Sequence, residues 1–256
     1  MRLNNRDTAF LNHVFEAVIV DLDGTMIDTV SDFWVALNRM LVDLSLPSVE
    51  RSLVKSLVGK GSEHLIKSVL IHVLKTAETN AYEAYSAINF DENKNRMAAA
   101  EALLAVALTH YQRHYLSING QHAVLFPGVL QGLEQLHANG LKMACLTNKP
   151  LSFAQPLLEM KGLDKFFSQV FGGDSFQRKK PDALPVLKTC ESLGTKPAFT
   201  LMIGDSSNDA EAARAGGCPV VLVTYGYNHG EPVSAVDADG FIDSLTEICL
   251  NRLPLM

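Results

Sequence analysis

The stretch Phe15-Glu16-Ala17-Val18-Ile19-Val20-Asp21-Leu22-Asp23-Gly24-Thr25 decides how this chain is read. A nearly continuous apolar run passes directly into two carboxylates and a glycine. A run of that kind, without polar alternation, marks a strand buried on both faces, as in a parallel sheet. Four more runs have the same form. Residues 141–146 end at Thr147-Asn148, and residues 169–171 end at Gly172-Gly173-Asp174. Residues 199–203 end at Gly204-Asp205, and residues 219–223 end at Thr224-Tyr225-Gly226. Between them apolar residues recur at helical spacing: Val129, Leu133 and Leu136, then Phe153, Leu157 and Leu158, then Leu184, Leu187, Cys190 and Leu193. Strands alternating with helices of that length predict an α/β fold, a Rossmann-like doubly wound parallel sheet. Such sheets bind ligand beyond the carboxyl ends of their strands. Asp, Asn, Thr and Gly gather at those ends here.

Residues 31–123 break the pattern and show no strand-like run. Trp34, Leu37, Leu41 and Leu44 share one helical face, as do Leu65, Val69 and Val73, and later Leu103, Ala107, Tyr111 and Tyr115. Pro47 and Gly59-Lys60-Gly61 punctuate them, and Pro127-Gly128 marks the return to alternating elements. The expectation is a core of residues 1–30 and 124–256 with an inserted all-α domain of residues 31–123. The polar stretch 78–96 reads as a helix pair with a loose connection.

Composition excludes several classes. The 256 residues are 47% apolar and 20% charged, too apolar for a disordered chain. The net charge of −6 leaves no basic stripe to displace counterions, which argues against nucleic acid. No apolar run approaches the ~20 residues that cross a bilayer, and no signal peptide is expected. The cysteines Cys145, Cys190, Cys218 and Cys249 are far apart and read as reduced, buried thiols of a cytoplasmic protein. A monomer or a homodimer fits equally.

The chemistry starts at Asp21 and Asp23. Two carboxylates two residues apart, in a loop leaving a strand, can face one small site. One can attack phosphorus as a nucleophile, while the other protonates the leaving oxygen and then deprotonates water. Gly24 lets the backbone approach a phosphate, with Thr25 beside it. Thr147 and the Asn148 backbone can hold phosphoryl oxygens, although that pair alone also fits a helix cap. Lys180 can neutralise nucleophile and phosphoryl charge; alone it fits a basic turn, and Lys179 is its rival. Asp205 and Asp209, in Gly204-Asp205-Ser206-Ser207-Asn208-Asp209, add two carboxylates. With Asp21 and a backbone carbonyl they suffice for a hard octahedral cation such as Mg²⁺.

These four elements, in this order after strand ends, resemble the haloacid dehalogenase superfamily of phosphohydrolases. A narrower match lies in Thr147-Asn148-Lys149-Pro150, Gly172-Gly173-Asp174, Lys179-Lys180-Pro181, Ala215-Gly216-Gly217-Cys218-Pro219 and Thr224-Tyr225-Gly226-Tyr227. It is similar to the branch that hydrolyses 2-phosphoglycolate. The resemblance implies Asp21 as nucleophile, Asp23 as general acid/base and Lys180 as charge stabiliser. Gly24, Thr25, Thr147, Asn148 and Lys180 would bind phosphate. Asp21, the Asp23 carbonyl and Asp205 would hold Mg²⁺, with Asp209 supporting them. The substrate would be a small phosphorylated metabolite. A related sugar-phosphate or nucleotide phosphatase, or a phosphomutase, keeps both aspartates and stays open. Lys180-Pro181-Asp182-Ala183 lacks the second proline usual in the third motif. In the insertion, which would serve as a cap, Lys60 and His64 are the candidates for reading the rest of the substrate. His110 and His114 stand i, i+4 and read as a solvated helix face rather than metal ligands. His229 is expected near the rim of the site.

Overall fold

The computed structural model describes residues 2–3, 14–76 and 92–248. Its strands, in chain order, are β1 (Arg2–Leu3), β2 (Ala17–Val20), β3 (Ile27–Asp28), β4 (Val124–Leu125), β5 (Lys142–Leu146), β6 (Gln169–Phe171), β7 (Thr200–Gly204), β8 (Val220–Val223) and β9 (Gly240–Ile242). Its helices are α1 (Val30–Asp43), α2 (Arg51–Leu57), α3 (Ser62–Thr76), α4 (Glu92–Ile118), α5 (Val129–Ala138), α6 (Leu151–Met160), α7 (Ala183–Leu193) and α8 (Ser207–Gly216).

The main sheet runs β1-β9-β8-β7-β2-β5-β6. Its six longer strands are parallel, and β1 adds an antiparallel edge against β9. After β2 the sheet grows toward β5 on one side and later toward β7 on the other. Strand order therefore reverses at β2, and the crevice beyond its carboxyl end is where such a sheet takes its ligand.

Side-chain alternation explains why β2 is apolar throughout. Val18 and Val20 pack on one face with Leu133 of α5 and Leu157 of α6. Ala17 and Ile19 pack on the other with Val186 of α7 and Ala213 of α8. Each fully buried Val or Ile stabilises the fold by about 1.5–3 kcal/mol. The expected inward face of α7 needs one correction. Leu187 is exposed, and Val186, Thr189, Cys190 and Leu193 point inward instead.

Helices α1 to α4 fill the segment between β3 and β4, and those two strands pair as a small antiparallel ribbon where the chain leaves and re-enters the core. The helices share an apolar cluster that includes Leu37, Val54, Ile66, Leu70 and Tyr111. Phe153 of α6 and Tyr227 beyond β8 join it, so the insertion sits directly on the crevice. Phe33, not Trp34, lies on the buried face of α1; Trp34 is half-exposed and donates its indole N–H to the Val49 carbonyl at 2.7 Å. The helix pair expected across residues 78–96 falls mostly outside the described residues; α4 begins at Glu92.

Sequence spacing did not show that Cys190 and Cys218 meet, with their sulfurs 3.8 Å apart. They and Cys145 are buried free thiols, while Cys249 lies outside the described residues. No helix among the described residues is long and apolar enough to cross a membrane.

Candidate active site

Leu22 decides where its neighbours point. Its side chain is fully buried in the core, so Asp21 and Asp23 on either side turn toward the crevice. The Asp21 N–H donates to the Ile203 carbonyl at 2.9 Å, which holds the loop against the end of β7. Lys180 reaches in from the turn before α7. Its Nζ donates to Asp21 Oδ1 at 2.7 Å, to Asp209 Oδ1 at 2.6 Å and to the Leu146 carbonyl at 2.8 Å. Lys179, the rival at this turn, points away and donates to the Lys60 carbonyl at 3.1 Å. Asp182 caps α7 by accepting from the Leu184 N–H at 2.8 Å, so that helix starts without the second proline.

Asp205 lies in the turn between β7 and α8, and Asp209 in the first turn of α8. Asp209 Oδ2 accepts from the N–H groups of Asp205 and Ser206, each at 3.1 Å, and from the Ser206 hydroxyl at 2.9 Å. Its other oxygen takes Lys180, so Asp209 is saturated and acts as a brace. Asp205 Oδ2 accepts from the Tyr227 N–H at 2.7 Å. Asp21 Oδ2 and Asp205 Oδ1 have no hydrogen-bond partner among the described residues. Ligand atoms of Asp21, Asp205 and Asp209 all lie within 4.8 Å of one another, and all three residues are buried.

Three buried carboxylates thus face one ammonium. Burial, with Asp209 and Asp23 close by, pushes the Asp21 carboxyl up to about 7 in spite of Lys180. Burial, then Asp209 and Asp21, push Asp205 well above the carboxylate range. Burial by itself would lower Lys180, but Asp209 and Asp21 outweigh it and hold the amine above its ordinary value. Surplus negative charge, hard oxygen donors and two unused carboxylate oxygens are the donor set that a Mg²⁺-like cation requires.

Asp23 has its own frame. Its Oδ1 accepts from the Thr29 hydroxyl at 2.8 Å and from Lys149 Nζ at 3.2 Å. Lys149 also donates to the Tyr115 hydroxyl at 2.6 Å and lies over the rings of Phe33, at 4.4 Å, and Tyr115, at 4.7 Å. Burial lowers the Lys149 amine below its ordinary value, with Asp23 opposing. Thr147 and Asn148 line the same wall, and the Asn148 N–H has no partner among the described residues. The cavity opens to solvent, and with that open mouth counted it spans about 590 Å³.

Two expected phosphate contacts are corrected. The Gly24 N–H is already taken by the Ile27 carbonyl at 2.9 Å. A Cβ on Gly24 would lie 2.1 Å from Asp205 Oδ2, so this glycine makes room for the aspartate. Thr25 is fully buried behind the loop, does not line the cavity, and its Oγ1 has no partner among the described residues.

Lys60 and His64 are exposed and do not line the cavity. Their loop contributes backbone instead. The Gly59 carbonyl accepts from Asn148 Nδ2 at 3.1 Å and from Asn208 Nδ2 at 3.0 Å. The Val58 carbonyl lies 2.9 Å from His229 Nδ1, which gives His229 a place at the rim. Three consecutive carbonyls of the insertion are thus held by four side chains of the core. His110 and His114 both reach Asp43 Oδ2, at 2.8 and 2.6 Å, and so pin α4 to α1 instead of standing free in solvent.

Sequence reading left Lys149 without a role, although it adjoins Asn148, and took Tyr115 only as an apolar helix position. Asn208 and Tyr227 were passed over as well. Helical period marks burial but says nothing about where a hydroxyl or amide points.

Comparison with known proteins agrees with this arrangement. Residues 18–223 match the family model described as haloacid dehalogenase-like hydrolase. A phosphoglycolate phosphatase of Thiobacillus denitrificans is 40% identical over 235 residues, 92% of this chain and 94% of the relative. One from Salmonella typhimurium is 36% identical over 231 residues, 90% of each chain. Among solved structures, a predicted phosphoglycolate phosphatase from Haemophilus somnus 129PT superposes with a TM-score of 0.77 at 31% identity. That superposition covers 91% of this chain and 96% of the other. Four motifs in order, their convergence on one crevice and a match over most of its length place this chain in the haloacid dehalogenase-like hydrolases.

Proposed function

We propose that this chain is a Mg²⁺-dependent phosphomonoesterase that works through an aspartyl-phosphate on Asp21, with 2-phosphoglycolate as its substrate. The observation that carries the reading is the buried pair Asp21 and Asp23 facing one cavity, with Lys180 on the first and Lys149 on the second. The names of the curated relatives support the substrate.

The residues divide the work. Asp21 Oδ2 attacks phosphorus while Lys180 holds Oδ1 and fixes the carboxylate's direction. The ester oxygen leaves with the proton carried by Asp23. Asp23, now a carboxylate, takes a proton from water, whose oxygen attacks the phosphoryl group and frees Asp21. The Asn148 N–H and Thr147 hydroxyl are placed to bind phosphoryl oxygens. Asp21, Asp205 and the Asp23 carbonyl would hold Mg²⁺, braced by Asp209; when bound it offsets the repulsion between nucleophile and phosphate. Residues 31–123 act as a cap over the crevice and exclude water from it.

The test is phosphate release with Mg²⁺ from 2-phosphoglycolate, sugar phosphates and nucleoside monophosphates. Asp21→Asn is the blank and is expected to fall below about a thousandth of wild type. A different preferred ester would overturn the substrate and keep the chemistry. Interconversion of sugar-phosphate isomers with little free phosphate would favour a mutase.

A further inference from the structure

Two lysines line the cavity, and they are not equally satisfied. Among its lining residues Lys149 and Lys180 are the only Lys, Arg or His side chains. Lys180 is matched by two carboxylates, Asp21 and Asp209. Lys149 touches one, Asp23, and otherwise a neutral phenol, Tyr115. Its three N–H donors go to both oxygens of Asp23, at 3.2 and 3.4 Å, and to Tyr115, so one carboxylate held at long range is its whole charge partner. Its side chain is only 2% exposed. A cation taken out of water needs full compensation, and here an aromatic frame supplies part of it. Asp23 does not need Lys149 as its only anchor, because Thr29 already donates to the same oxygen.

The surroundings narrow what a further partner can be. Phe33, Val58, Leu65 and Phe153 make most of the nearby wall apolar. An anionic group other than the phosphate therefore finds one half-matched cation, and that cation stands beside the acid. Asp23 works at the ester oxygen, and Lys149 Nζ is 3.2 Å from Asp23 Oδ1. The anion that fits is bonded to the same carbon as the ester oxygen.

We propose that Lys149 is the specificity residue of this site and receives the carboxylate of a phosphorylated 2-hydroxy acid. The proposal rests on the phosphomonoesterase reading and adds to it which atom reads the substrate's second charge. It moves that role from the cap lysine, Lys60, to a core lysine on the loop that follows β5. A longer acid would carry its carboxylate past Nζ toward the apolar wall. A neutral ester would leave Asp23 as the only anion beside this buried cation.

The experiment compares 2-phosphoglycolate with ethyl phosphate, which has a methyl group in place of the carboxylate. Wild type is expected to favour the acid in kcat/KM by at least about 30-fold, equivalent to about 2 kcal/mol. Lys149→Met fills the same volume between the rings without the charge. It is expected to lose most of that ratio, chiefly through a raised KM for the acid. Lys149→Gln, which keeps polar contacts to Tyr115 and Asp23, is expected to do the same and serves if the Met variant does not fold. Tyr115→Phe, which keeps the ammonium, is expected to keep the ratio. If the Lys149 variants slow both esters equally, Lys149 merely positions Asp23 and the proposal falls. If wild type hydrolyses both esters without preference, the proposal falls and the phosphomonoesterase reading stands. If wild type hydrolyses neither these nor any other phosphate ester, both fall.

Discussion

The side-chain amide of Asn148 donates to the carbonyl of Gly59 at 3.1 Å, across 89 residues of sequence. A residue of the cavity wall therefore also holds a loop of the helical insertion. Asn208 donates to the same carbonyl from the first turn of α8, which also carries Asp209. Seating of the insertion and order in the segments around the cavity are one network.

Gly59→Ala tests that network. The backbone there has φ of +118°, and a Cβ would lie 2.5 Å from His229 Cε1. Both the strain and the clash push the loop away, at a cost of about 1–3 kcal/mol. The expected outcome is a loss of tenfold or more in kcat/KM with a drop of only a few degrees in Tm. Unchanged kinetics would show that the loop does not need its present seat.

Gly24→Ala tests the metal site. The new methyl would displace the carboxylate of Asp205. The Mg²⁺ concentration for half-maximal activity is expected to rise by at least tenfold. Thermal-shift titration with Mg²⁺ gives the same answer without turnover. An unshifted titration would mean that Asp205 is not a ligand.

The charge excess at the site sets a pH dependence in protein kept free of divalent cations by a chelator. Asp21 is raised from 3.8 to about 7 in the folded chain, and Asp205 moves the same way. A carboxyl raised on folding binds its proton more tightly in the native state. Its stabilisation is present at acid pH and is lost as pH climbs from about 4 through about 7. Melting with chelator is thus expected to show a falling Tm between pH 5 and pH 8, and Mg²⁺ is expected to stabilise more at pH 8 than at pH 5. Asp21→Asn should flatten part of the slope. A chelated protein whose Tm is level across that range would contradict the charge assignment.

Asp32 governs how the insertion is anchored. It is fully buried at the start of α1 and accepts from the N–H groups of Gly120 at 2.7 Å and His122 at 2.8 Å. Asp32→Ala leaves two buried donors unmatched. That costs about 2–4 kcal/mol, or roughly 5–12 °C in Tm for a chain of this size. A change of a degree or less would show that water replaces the carboxylate without penalty.

Much of the fold was readable because it depends on local pattern. Residues 15–20, 141–146, 199–203 and 219–223 are apolar at nearly every position, and only a sheet covered on both faces explains that. The strands missed were Gly240–Ile242 at the far edge and the two-residue pairs Arg2–Leu3, Ile27–Asp28 and Val124–Leu125. Segments that short carry no period and exist through their partners alone. Trp34 and Leu187 misled because an apolar side chain at the edge of a helical face can stay partly exposed where no partner packs over it.

The sequence alone picked out the carboxylates proposed for catalysis. Asp21 and Asp23 lie two residues apart in a loop that leaves an apolar run, so both can face one small site. It also determined that Asp205 and Asp209 sit at one helix start, because they lie four positions apart around its cap. Tertiary structure alone decided that Lys180 and not Lys179 reaches Asp21, that Gly24 serves Asp205, and that Lys149 stands beside Asp23 between the rings of Phe33 and Tyr115. Those relations join residues from separate elements. Their distances are set by how β2, β5, β7 and the inserted helices pack, and no local spacing encodes that packing.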